Sequence, residues 1–168
     1  MRLALYQPDI PQNTGTLIRL AVCLGLAVDV IEPCGFVFSD KHFRRAGMDY
    51  LKSADFTRHI SWDAFRAARA TVSGERLILL TTKARTPYTE FRFEKEDVLV
   101  LGSEGAGVPQ SVHRGARARI LVPMAPGARS LNVAVAAAMV LGEALRQTEG
   151  FPDPISTPCY NISKSGHA

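Results

Sequence analysis

Residues 97–109 read DVLVLGSEGAGVP, and no other segment restricts the fold as strongly. Val98 to Leu101 have the composition of a buried strand. Gly102, Gly105 and Gly107 then interrupt it, and Pro109 can open a helix. A strand that runs through a glycine loop into a helix is the building block of α/β folds, which place ligands at the carboxyl ends of their strands.

The rest of the chain repeats the alternation. Strand patterns fall at 2–6, 28–31, 56–60, 76–82, 97–101 and 119–122. Helical patterns fall at 14–26, 40–50, 62–71 and from Ser130 to about Gln147. Asn13 or Thr14 is the expected cap of the first helix, Ser61 of the third and Ser130 of the last, while 7–12, with Pro8 and Pro11, reads as a stiff loop. Short strands that are apolar on both sides indicate an α/β fold: a parallel sheet of about six strands covered by helices. At 168 residues and 46% hydrophobic composition, one domain over 1–150 can bury a sizeable core. The Pro-, Ser- and Gly-containing stretch 151–168 is expected to be a flexible tail.

Before Gln7 the only apolar run is Leu3-Ala4-Leu5-Tyr6, too short for a signal-peptide core, and no later segment reads as a membrane span. A cytoplasmic protein without membrane contact is the expectation. Cys23, Cys34 and Cys159 are odd in number and form no C-x-x-C pair, which argues against a disulfide framework and a zinc site; Cys23 is expected in the core. His42, His59, His113 and His167 show no ligand spacing, so no metal is expected.

Three segments could carry chemistry. In the first, 13–19, Arg19 lies about one and a half turns into the expected helix. It is either a cation positioned for an RNA phosphate or a solvated helix arginine. The second is the glycine loop. Its order is G-x-x-G-x-G, not the dinucleotide order, and Glu104 would repel a pyrophosphate. It is either a tight turn or a cradle for a ligand without phosphate, such as the sulfonium nucleoside S-adenosylmethionine. The third, 122–132, leads from a strand end through a Pro/Gly loop into the last helix. The second and third can line one crevice, with the loop after Leu80 beside them.

From Leu131 to Leu141 only Asn132 is polar. A helix that is apolar all round must be covered on more than one side, by its own subunit or by a homodimer partner, and the Ala-rich face favours the dimer. The net charge of +4 permits a nucleic-acid partner without requiring one. Basic residues gather at Lys41, Arg44 and Arg45 and at Arg114, Arg117 and Arg119. These are solvated faces or, if RNA binds, its phosphate contacts.

These three segments, in this order, resemble the three motifs of the SPOUT RNA methyltransferases over roughly residues 1–150. The likeness is nearest to the single-domain subgroup that methylates the ribose at the tRNA wobble position. Its hallmarks stand at 7–15, at Gly35-Phe36, at Asp40-Lys41, at 44–50 and at Leu80-Thr81-Thr82-Lys83. The resemblance implies a deep trefoil knot at the C-terminal end, a homodimer through the C-terminal helix and a tRNA partner. It implies S-adenosylmethionine as methyl donor and S-adenosylhomocysteine as product. It places Leu80, Gly102, Val122, Ser130 and Leu131 at the donor, and Arg19, Asn13, Glu104 and Asn132 in the catalytic motifs. Lys41, Arg44, Arg45 and Arg129 are the expected RNA contacts. The chain departs from the pattern at Ala106, Ala134 and Gly142, where relatives of this type often carry Arg, Ser and Tyr. The leading expectation is a tRNA ribose 2′-O-methyltransferase acting on the wobble cytidine or modified uridine. The alternatives are the same chemistry on ribosomal RNA or another tRNA position, and an RNA-binding module without catalysis.

Overall fold

The computed structural model describes residues 1–37 and 55–153. Among these, strands β1 (Arg2–Tyr6), β2 (Ala27–Ile31), β3 (Phe56–His59), β4 (Arg76–Leu80), β5 (Thr86–Pro87), β6 (Asp97–Leu101) and β7 (Ala118–Leu121) form one sheet ordered β3-β2-β1-β6-β4-β7-β5. Every pairing is parallel. The expected α/β sheet is therefore present. Its additional strand, β5, is a two-residue edge piece containing Pro87, too short to show a sequence period.

Both faces are covered, as the apolar strands required. Leu3 and Leu5 of β1, with Leu99 and Leu101 of β6, join a core on one face, under helices α1 (Pro11–Cys23) and α4 (Val133–Thr148). Ala4 and Tyr6, with Val98 and Val100, face the other way, against Phe65 of α2 (Trp62–Arg69) and Val112 of α3 (Gln110–Gly115). The period-two alternation thus fills two cores from the same strands. Two buried carboxylates tie strands together. Asp29 of β2 accepts from Arg2 Nε of β1 at 2.9 Å and lies 2.7 Å from His59 Nε2 of β3. Asp97 of β6 takes Arg76 of β4 in a two-pronged grip at 2.6 and 2.8 Å. Charges this deep persist only when paired.

Helix boundaries correct several expectations. α1 starts at Pro11, inside the stretch read as a loop, because proline lacks the N–H that the first helical position leaves unused. Neither Asn13 nor Thr14 caps it. Ile10 stands at the cap, and the Thr14 hydroxyl instead donates to the Ile10 carbonyl one turn back. Arg19 consequently lies eight residues, about two turns, beyond the helix start, too far to reach back to it. Cys23 ends α1 exposed, not in the core, because the buried stripe runs through Thr14, Leu17, Ile18 and Ala21. Ser61 does cap α2, accepting from the Ala64 amide. α4 is capped by Asn132, not Ser130: its side chain accepts from the Ala134 amide at 2.9 Å. The expected helix at 40–50, with Lys41, Arg44 and Arg45, and residues 154–168 of the expected tail lie outside the described residues. Among the described residues, no helix is long and apolar enough to cross a membrane.

The chain leaves β1 outward to β2 and β3, then crosses to the other half of the sheet, so the connections after neighbours β1 and β6 lead to opposite halves and the strand order switches between them.

Candidate active site

The glycine loop follows β6 at this switch point. Ser103 and Gly107 exchange backbone hydrogen bonds, Ser103 N to Gly107 O at 3.0 Å and Gly107 N to Ser103 O at 2.9 Å, folding 103–107 into a closed turn. Gly107 sits at φ +69°, in the left-handed region. At Gly102 the requirement is space: an added Cβ would lie 2.8 Å from the Gly107 carbonyl carbon.

The loop after β1 fastens this turn from outside. Asp9 Oδ2 accepts from Ser103 Oγ at 2.6 Å and from the Gly105 amide at 2.9 Å. These two donors, Ser103 first, hold the Asp9 carboxyl below the usual carboxylate range. Glu104 returns the contact, accepting from the Asp9 amide at 2.8 Å and from Asn13 Nδ2 at 3.0 Å. Asn13 Oδ1 in turn accepts from Asn132 Nδ2 at 2.9 Å. Glu104, Asn13 and Asn132 therefore form one hydrogen-bonded chain joining all three sequence motifs, and it ends on the cap of α4.

A cleft of about 570 Å³ opens beside this chain. Leu80, Gly102, Ser130 and Leu131 line it, as do Asn13, Glu104 and Arg129. The loop after Leu80 contributes Thr81, Thr82 and Lys83, as anticipated. Val122 does not line it and is packed in the core. Arg19 is exposed on α1, outside the lining. Lys41, Arg44 and Arg45 are not among the described residues.

Two participants escaped the sequence reading. Asp9 was legible only as part of a motif, because its partners are 94 and 96 residues away. His113, on α3, carried no spacing signal; it is buried and lines the cleft. Burial, helped by the nearby charges of Lys83 and Arg119, pushes its imidazole pKa below the ordinary value. Below about pH 6.5 the unfolded chain takes up a proton at this histidine that the folded protein resists, so stability is full above that pH and declines below it. The thermal midpoint is expected to fall as pH drops from about 7.5 to 5.5, and His113→Gln to flatten that slope. An identical slope in the variant would remove His113 as the cause.

The surroundings suit a nucleoside. Leu79, Leu80, Leu101, Val108 and Leu131 offer apolar surface for a base, and the glycine turn brings backbone close to a ligand. The carboxylates of Asp9 and Glu104 are occupied by protein donors and make the glycine turn negative, while Lys83 and Arg129 bring positive charge to other parts of the lining. Among the described residues, no group of three His, Cys, Asp or Glu is placed to hold a metal ion.

The SpoU rRNA methylase family matches residues 1–142. A tRNA (cytidine(34)-2′-O)-methyltransferase of Beijerinckia indica is 58% identical over 156 residues, covering 93% of this chain and 97% of that one. A solved structure concerned with 2-OH methylation of C/U34 on tRNA superposes with a TM-score of 0.78 at 38% identity, covering 87% of this chain and 94% of the other. The SpoU methyltransferase AviRb of Streptomyces viridochromogenes, in complex with the cofactor AdoMet, gives a TM-score of 0.76 at 29% identity, over 88% of this chain and 57% of that one.

Proposed function

The chain belongs to the SpoU rRNA methylase family, and from that premise we propose that it is a tRNA ribose 2′-O-methyltransferase acting at the wobble nucleotide, with S-adenosylmethionine as methyl donor. The observation that carries this reading is the Glu104–Asn13–Asn132 chain beside the cleft, which joins the three segments expected to build a donor site. The 58% identical relative named for cytidine 34 of tRNA supports the target. S-adenosylhomocysteine is the expected second product.

When bound, S-adenosylmethionine supplies an electrophilic methyl group on a sulfonium. Leu80, Gly102, Ser130 and Leu131 hold the donor, and Val122 supports their loop from the core. Asp9, Glu104, Asn13 and Asn132 keep the glycine turn and the start of α4 in register, so that the nucleophile meets a fixed target; orientation of this kind accounts for a large share of a barrier. Arg19 cannot serve as general base, because its pKa exceeds about 12. Its exposed position outside the cleft suits a clamp on an RNA phosphate that orients the reacting ribose. An RNA phosphate or water accepts the hydroxyl proton. Arg129 at the cleft, with Lys41, Arg44 and Arg45, provides further RNA contacts.

We read residues 1–150 as a single methyltransferase domain, knotted at its C-terminal end as the family likeness implies, and working in the cytoplasm. Ala134, Ala137, Val140 and Leu141 of α4 are buried in their own subunit, whereas Val135 is 51% and Met139 41% exposed. This apolar outer face supports a homodimer through α4.

The purified protein is expected to transfer labelled methyl from the donor to tRNA, and nucleoside mapping to find 2′-O-methylation at position 34. Methylation confined to ribosomal RNA would move the target. Absence of transfer to any RNA would overturn the assignment.

A further inference from the structure

A second cavity, of about 590 Å³, lies at the amino-terminal edge of the sheet, away from the cleft. Arg66 and Arg69 line it from α2, Glu75 and Arg76 from the start of β4, and Arg114 and Arg117 from either side of the turn between α3 and β7. Five guanidinium groups thus share a lining with one carboxylate. Two are neutralised: Arg69 is held by Glu75, and Arg76 by Asp97 and Glu94. Three are not. Arg66 donates Nη1 to the Gly115 carbonyl at 3.1 Å. Arg114 and Arg117 are exposed, and neither meets an acidic side chain among the described residues.

Arg66 has a seat. A Cβ at residue 115 would come within 2.7 Å of its Nη1, so Gly115 is what admits the guanidinium. Gathering uncompensated cations is unfavourable unless an anion joins them. All are arginines, whose planar forks match phosphate oxygens better than an ammonium does. The two cavities touch opposite ends of β4: Leu80 lines one and Arg76 the other, about 13 Å apart along the strand.

We propose that this arginine cavity grips the phosphodiester backbone of the substrate RNA several nucleotides away from the ribose that reacts. This role presupposes the RNA methyltransferase reading above. Phosphate contacts supply affinity without reading sequence, so a basic face beyond the cleft suits a large RNA substrate.

The test compares wild-type protein with the triple variant Arg66→Ala, Arg114→Ala, Arg117→Ala and with the corresponding triple lysine variant. Donor affinity by calorimetry should be the same in all three, which reports an intact fold and cleft. For the alanine variant, full-length tRNA binding is expected to weaken about tenfold or more, and the slope of log affinity against log salt to fall by about two to three. The loss should appear in KM, not kcat. The lysine variant should keep most of the salt slope, since the charge remains. Unchanged tRNA affinity and salt slope in the alanine variant would overturn the proposal. So would an alanine variant that loses only protection by inorganic phosphate, which would mark a small-anion site. A wild-type protein that binds tRNA with the full salt slope but transfers no methyl would sink the methyltransferase reading and leave this comparison valid. A wild-type protein that binds no RNA would overturn both.

Discussion

Arg19→Ala is expected to lower kcat for methyl transfer to tRNA by about a hundredfold, the order of loss when a group away from the reacting atoms no longer positions the substrate. Donor affinity should be unchanged, because Arg19 lies outside the lining of the cleft. The split between the two measurements matters: a residue that merely stabilised α1 would lower both together. Arg19→Lys should recover part of the rate, since it keeps the charge but loses the planar fork. Single-turnover transfer with saturating donor is the assay. Full activity in the alanine variant would remove Arg19 from the chemistry.

The second large effect belongs to Gly102. A methyl group there would meet Gly107 carbon at 2.8 Å and Gly107 oxygen at 3.0 Å, both backbone atoms that cannot rotate away. Relief requires the Ser103–Gly107 pair to open, and with it the turn that Asp9 fastens. Overpacking of this kind costs about 1–3 kcal/mol; if the loop absorbs all of it, donor affinity falls by about ten- to a hundredfold, at about 1.4 kcal/mol per decade. Gly142→Ala is the internal control. Nothing lies within 4 Å of its added Cβ, and it sits inside α4, so stability should rise slightly while donor binding is unaffected. Equal donor affinity in Gly102→Ala and wild type would mean that the loop does not shape the site.

The two glycines also show why some features were legible in the sequence and others were not. The central strands could be read because they are apolar on two faces, a local property, and β6 stands where its residues said it would. The glycine loop could be read because it interrupts such a strand. Helix ends were less legible. Asn132 and Ser130 are both good caps by composition, and only the path of the loop decides that Asn132 meets the Ala134 amide while Ser130 faces the cleft. The start of α1 was hidden by Pro11, which signals a loop or a first helical turn equally well. The latch between Asp9 and the glycine turn was out of reach, since nothing local at Asp9 specifies a partner 94 residues onward. The arginine cavity was half visible. Arg114 and Arg117 formed a cluster in the sequence, but Arg66 joins them only through the packing of α2 beside the α3–β7 turn.

The hydrogen-bonded chain from Glu104 through Asn13 to Asn132 has a consequence for biosynthesis. The polypeptide is made from its amino end, and the last member of that chain is added 119 residues after Asn13. A nascent protein still tethered short of residue 132 has β1 and the glycine turn but not the third anchor. A translation product that stops before residue 132 therefore carries the glycine turn without the anchor that ties it to α4.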